Sequence, residues 1–151
     1  MGSVALDFRR CDAAHPPASD LLTAVLAEYE ALAGHALGGG PTTTPAEFSL
    51  PGGTYLVGFE QGVPACGGGI RALGASIAEV KRMYVVPRFR GRGLAQALLS
   101  ALEDVARDLG HRAVRLDSTA ATWPIYVAAG YREVPDYNNN PHADVWGEKR
   151  L

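Results

Sequence analysis

Apolar positions along the chain alternate with two different periods. Residues 4–8 alternate loosely and predict a first strand. Pro16 and Pro17 interrupt it, and Ser19 and Asp20 offer N-caps for a helix over 21–33. On that helix Leu22, Val25, Leu26, Tyr29 and Leu32 share one face at i, i+3, i+4 spacing. From Thr54 the period falls to two. Segments 54–60 and 63–73, joined by Gln61 and Gly62, read as a β-hairpin, and Gly67, Gly68 and Gly69 in its second arm mark a bulge or a close approach. A further strand, 76–86, stops at Pro87, which has no N–H for a ladder. The helix over 93–109 gathers Leu94, Ala97, Leu98, Ala101, Leu102, Val105 and Leu109 on one side and ends at Gly110. A short buried strand (112–117), a short helix (123–129) and two strands (131–134 and 144–150) complete the order. With no internal repeat or linker, the pattern predicts one α+β domain over residues 1–151.

Composition narrows the picture mainly by exclusion. The 47% hydrophobic and 20% charged content is ordinary for a globular chain of 151 residues. A net charge of −2 argues against a nucleic-acid partner, and the basic character is local, between positions 81 and 92. The two cysteines, Cys11 and Cys66, form no CxxC, and the histidines do not cluster, so neither a disulfide framework nor a metal site is expected. No window approaches the roughly 18 uncharged apolar residues of a membrane span. No apolar run near the first residue resembles a signal peptide, so the reading is a cytoplasmic protein that does not engage the membrane. The Gly-, Thr- and Pro-rich stretch 34–45 reads as a loop, and its length makes it a candidate lid or substrate loop.

Candidate chemistry concentrates where strand 76–86 meets helix 93–109. Arg88, Arg90 and Arg92 surround Gly91 and Gly93 at a helix start. The first amides of a helix have no intrahelical partner and the helix dipole adds partial positive charge, so this turn predicts an anion site. No P-loop run occurs in the chain. A dinucleotide fingerprint is only half present, because Gln96 stands at its third small position. Asp117 lies about where a ribose-binding acid would, but the second half of a doubly wound sheet is missing.

The run Arg90-Gly91-Arg92-Gly93-Leu94-Ala95 fits the pattern Q/R-x-x-G-x-G/A and resembles the acetyl-coenzyme A signature of the GNAT superfamily of N-acetyltransferases. Ile125-Tyr126-Val127-Ala128-Ala129-Gly130-Tyr131 resembles that family's L-Y-x-x-x-G-F segment. Glu79-Val80-Lys81-Arg82-Met83-Tyr84-Val85 and the tail Tyr137-Asn138-Asn139-Asn140-Pro141 resemble a subgroup of small bacterial members. The chain departs from that subgroup at 118–122 and at Tyr131, where phenylalanine is usual.

The resemblance implies a GNAT-like fold: a mixed, mostly antiparallel twisted sheet of about six or seven strands with flanking helices, splayed between the fourth and fifth strands. It implies acetyl-CoA as donor, with its pyrophosphate on Arg90, Gly91, Arg92, Gly93, Leu94 and Ala95. The pantetheine arm would bond the backbone of Met83 and Val85, one of whose amides would polarise the thioester carbonyl. Tyr126 takes the general-acid position. Glu79, in phase with Lys81, Met83 and Val85, is the candidate base, acting through water. A regular pleat would turn Arg82 and Tyr84 to the face opposite Glu79. Arg82 is a candidate carboxylate binder, and the loop from Tyr137 to His142 would flank the acceptor cleft. The acceptor expected is a small-molecule amine or amino acid. The alternatives are a protein or peptide N-acetyltransferase and a non-catalytic acyl-CoA-binding sensor. The fold allows a homodimer through its C-terminal strands.

Overall fold

The period-two stretches become seven strands: β1 (Asp7–Cys11), β2 (Thr54–Glu60), β3 (Val63–Ala72), β4 (Ile77–Val85), β5 (Ala113–Ser118), β6 (Arg132–Val134) and β7 (Val145–Arg150). The helical stretches become α1 (Ala18–Ala33), α2 (Leu94–Asp108) and α3 (Trp123–Ala128). In this computed structural model, which describes residues 5–34 and 43–151, the strands form one sheet in the order β1-β2-β3-β4-β5-β7-β6. All neighbours are antiparallel except β4 and β5. The α+β expectation and the mixed sheet therefore hold. Most of the stretch 34–45, the candidate lid, lies outside the described residues.

The sheet is covered on both faces. On one, Leu98, Leu99, Leu102 and Ala106 of α2 close over Leu56, Ile70, Val80, Val114 and Leu116. Cutting one such buried leucine to alanine costs about 2–5 kcal/mol. On the other face, Ala18 and Leu21 of α1 pack with Phe48, Tyr55 and Val57. The α2 stripe is turned by about one position from the predicted one: Leu99 and Ala106 are buried, while Ala97 is exposed. The helix ends as expected, with Gly110 at φ 90 and the amides of Gly110 and His111 donating to the carbonyls of Arg107 and Ala106.

At two elements the structure departs from the pattern. β1 runs through Arg9 and Arg10, because backbone pairing with β2 places an edge strand there, and half-exposed edges need no apolar signature. In α1 the cap is Pro17 rather than Ser19 or Asp20, and it makes no side-chain cap bond. Leu26 and Leu32 of the predicted stripe are exposed, and Tyr29 is only partly covered, with 36% of its surface open. The buried side of α1 is Ala18, Leu21 and Val25, and Leu22 only partly joins it.

Two irregularities shape the middle of the sheet. β4 and β5 pair only from Ile77 to Glu79 with Ala113 to Arg115, and no later residue of β4 pairs with β5. The register between β3 and β4 slips between Gly67 and Gly69, opposite Arg82, which has φ 59. The extra residue is a β-bulge in β4. It reverses the pleat from that point on. Tyr84 packs with the α1-side cluster, the side of Phe48 and Gly69, while Met83 and Val85 join the α2-side core. The regular-pleat expectation that set Tyr84 opposite Glu79, and kept Met83 and Val85 in phase with it, is corrected by this bulge. The approach expected at the glycines is also present: the Phe48 ring occupies the space a side chain on Gly69 would need.

Candidate active site

The anion turn is assembled by local sequence. Pro87, Arg88 and Phe89 form a 3-10 turn after β4, and Gly93 caps α2 in the left-handed region at φ 78. Only glycine takes that conformation without strain. The backbone amides at positions 91–96 have no acceptor among the described residues. Those of Leu94, Ala95 and Gln96 open at the partly positive N-terminal end of α2, an arrangement suited to phosphate oxygens. The arginines are spoken for by acids: Arg90 Nη2 lies 2.7 Å from Glu28 Oε2, and Arg92 Nη1 lies 3.3 Å from Glu60. Such exposed pairs are worth about 0–1 kcal/mol, so a phosphate can displace them cheaply. Arg90 Nε also donates to the Val85 carbonyl at 2.9 Å, which leaves that carbonyl spent. Arg88 stacks on Phe89.

Where β4 and β5 part, the α1 side of the sheet carries a connected polar network. Glu79 is fully buried. Its Oε1 accepts from Arg71 Nε at 2.8 Å, and its Oε2 accepts from the Tyr137 hydroxyl at 2.6 Å and from Asn138 Nδ2 at 3.3 Å. Arg71 reaches on to Glu47 at 3.1 Å. Lys81 stands 3.7 Å from Glu79 but 2.9 Å from Asp117 Oδ2, which also accepts from Asn138 and Asn140. The Trp146 indole donates to Asn138 Oδ1 at 2.8 Å and ties the tail loop to β7. Burial works to raise the Asp117 carboxyl, but the Lys81 ammonium and the two asparagine amides outweigh it and hold the carboxyl below the ordinary value.

Tyr126 lies on α3, immediately after β5, between Trp123 and an edge-on Tyr131 at 6.0 Å. Burial, then the neighbouring Tyr29 and Asp117, keep its phenol protonated far above neutral pH. Tyr29 of α1 in turn feels burial first, then Arg82 and Asp117. Sequence periodicity assigned Tyr29 to a buried stripe, so its place beside the parted strands was missed, as was that of Asp117. The Tyr131 hydroxyl donates to the buried Glu103 of α2 at 2.8 Å, and Lys149 reaches the same carboxylate. The change from phenylalanine at this position is therefore not a neutral one. A cavity of about 260 Å³ lies beside Glu103, between Gln96 and Ser100 of α2 and Ala128 of α3.

Set out by position, the predicted residues other than Tyr126, which lies on α3, fall into two groups. Arg90, Gly91, Arg92, Gly93, Leu94 and Ala95 come together at the turn, with Met83 and Val85 on the part of β4 that no longer pairs with β5. Glu79, Tyr137 and Arg82 lie on the α1 side, where the Tyr137 hydroxyl is taken up by Glu79. Among the described residues no helix is long and apolar enough to cross a membrane, and no group of three His, Cys, Asp or Glu could hold a metal.

The fold defines the class. A solved structure described as an acyl-CoA N-acyltransferase of Klebsiella pneumoniae superposes with a TM-score of 0.78 at 25% identity, covering 99% of both chains. A model of the acetyltransferase (GNAT) family matches residues 18–131, and the chain belongs to that family. The uncharacterized N-acetyltransferase YjgM of Escherichia coli is 38% identical over 76 residues, 48% of this chain and 46% of that protein. The glucosamine 6-phosphate N-acetyltransferase of Trypanosoma brucei brucei is 34% identical over 59 residues, 39% of this chain and 40% of that protein. The match thus spans less than half the length of either curated relative. Family membership and the matching fold are thus shared with proteins named as N-acetyltransferases or N-acyltransferases.

Proposed function

We propose that the protein transfers the acetyl group of acetyl-CoA directly to the primary amine of a small molecule or amino acid. The observation that carries this reading is the parting of β4 from β5 beside the free amides of the 91–96 turn. The amides and the left-handed Gly91 and Gly93 suit a pyrophosphate, with Arg90 and Arg92 able to exchange their acids for it. The stretch of β4 that has parted from β5 holds Met83 and Val85, whose amides are the proposed contacts for the pantetheine arm and the thioester carbonyl. Acetyl-CoA brings an activated thioester carbon to this gap.

In the transfer the acceptor, having released its ammonium proton to water, attacks as the neutral amine; the C–N bond forms as the C–S bond breaks, the remaining proton on nitrogen passes to water, and one proton must reach sulfur. Tyr126 is the proposed donor to sulfur, because its phenol is fully protonated at neutral pH. Glu79 takes a different part from the one the resemblance suggested. With no exposed surface and both oxygens bonded, it is placed to hold Arg71, Tyr137 and Asn138. Support for a small acceptor comes from the relative named for glucosamine 6-phosphate.

Free-thiol release from acetyl-CoA, followed over a panel of amines, amino acids and peptides, tests the reading. Turnover on small amines is expected. Turnover confined to peptides would move the enzyme to protein acetylation, and acetyl-CoA binding with no turnover would make it a sensor. Tyr126→Phe is expected to lower kcat at least about tenfold with acetyl-CoA affinity nearly unchanged. An unchanged kcat removes Tyr126 from the acid role.

A further inference from the structure

Two charged groups on the α1 side of the sheet are left with chemistry unspent. Asp117 follows Arg115, the last residue of β5 to pair with β4, and its carboxylate lies across the opening from Lys81. Every hydrogen bond to it, from Lys81 at 2.9 Å, Asn138 at 2.7 Å and Asn140 at 3.2 Å, ends on Oδ2. Oδ1 has no partner among the described residues. The side chain is 14% exposed, whereas Glu79 is fully enclosed. Of the two acids, Asp117 is the one a ligand can reach.

The second group is Arg82. It sits on the β4 bulge at φ 59, a conformation a residue with a long side chain rarely adopts and that clusters at functional sites. It has no carboxylate partner among the described residues, although Arg71, Lys81, Arg90 and Arg92 all have one. Arg82 directly follows Lys81, which bonds Asp117 at 2.9 Å, and α1, which carries Tyr29, packs on β4. Arg82 and Asp117 therefore lie at the same level of the opening, under α1.

We infer that Asp117 Oδ1 and the Arg82 guanidinium are the two ends of the acceptor site, and that the acceptor is a small primary amine that also carries an anionic oxygen group. This rests on the acetyltransfer reading above. The ammonium docks on the spare carboxylate oxygen, and its anionic group pairs with Arg82. An acceptor that is only cationic would bring a second positive charge beside an uncompensated guanidinium, which is the repulsion that selects against it. A lysine on a protein surface falls in that rejected class. Tyr29, from the opposing helix, has a hydroxyl with no partner among the described residues and supplies one further bond to the ligand. The bulge has the specific task of turning Arg82 toward α1, where a regular strand would have sent it into the α2-side core.

The test compares matched acceptors on the full-length enzyme with acetyl-CoA: glycine against glycinamide, and glucosamine 6-phosphate against glucosamine. The two pairs separate a carboxylate from a phosphate as the anionic group. For at least one pair, kcat/KM should favour the anionic member by about 30-fold or more, the loss expected when one partner of a desolvated charge pair is absent. Arg82→Asn keeps a residue that tolerates positive φ and should collapse that ratio toward one, mainly through KM. Circular dichroism and a thermal melt confirm that the variant is folded. Equal or better turnover of the uncharged members, or a ratio that survives in Arg82→Asn, overturns the inference while leaving acetyl transfer intact. Acetyl-CoA binding without thiol release on any amine overturns acetyl transfer and the inference with it.

Discussion

Replacing Glu79 by alanine is the sharpest probe of how the polar face is held together. The carboxylate has no exposed surface and serves Arg71, Tyr137, Asn138 and, at 3.7 Å, Lys81. Its loss does not orphan the cations fully, since Arg71 keeps Glu47 and Lys81 keeps Asp117. The buried Tyr137 hydroxyl and one Asn138 amide do lose their acceptor, and leaving such a group unsatisfied costs about 1–3 kcal/mol. Breaking a buried ion pair by removing one partner costs about 3–5 kcal/mol, which sets the scale for the whole change. For a chain of this size each kcal/mol moves Tm by about 2–4 °C, so Glu79→Ala should melt about 6–20 °C lower. Glu79→Gln keeps the shape and an oxygen for Tyr137, and should fall between wild type and alanine. Scanning calorimetry measures both. A loss under about 2 °C for alanine, or a larger loss for glutamine than for alanine, would refute the network as a stabilising unit. Kinetics well below both midpoints separate holding from proton transfer: the pH profile of kcat/KM should keep its shape in Glu79→Gln. A missing limb would restore Glu79 as the base.

Three further outcomes follow from particular residues. Gly93→Ala forces a side chain onto φ 78, at about 1–2 kcal/mol, and should weaken acetyl-CoA binding in calorimetry; unchanged affinity and Tm would mean the turn tolerates a side chain at this position. Asp117 has its folded pKa below the unfolded value of roughly 3.9, so its stabilisation is complete above that value and is lost as pH falls through the folded pKa. Asp117→Asn should therefore flatten the acid limb of Tm against pH, and an acid limb as steep as that of wild type would contradict the assignment. Burial pushes the Cys66 thiol up to about 11, against a weaker opposing bond from the Gly58 amide, so a disulfide reagent at pH 8 should leave Cys66 unmodified until the chain unfolds.

The parts of the protein legible in its sequence are those whose physics is local. Left-handed glycines at a helix start, apolar spacing along α2 and the end at Gly110 depend on neighbours within a few residues. The turn at 90–95 and the element order could therefore be read directly, and the parting of β4 and β5 came from the family resemblance. What stayed hidden depends on elements far apart in the chain. Glu103 lies on the apolar face of α2 and looks misplaced until Tyr131 and Lys149 arrive from the C-terminal strands. Glu79 looks like a free strand acid until Arg71, Tyr137 and Asn138 enclose it. Above all, the single extra residue at Arg82 is a matter of register between β3 and β4. Period-two alternation in β4 carries no mark of the extra residue, because the side chains on either side of the slip remain individually suited to a strand, and only the glycines facing it in β3 signal an irregularity. Sequence alone determined the glycine turn before α2 and the elements around it. Only the tertiary structure decided which charges share the α1 face of the sheet, since strand register and long-range ion pairs set that face.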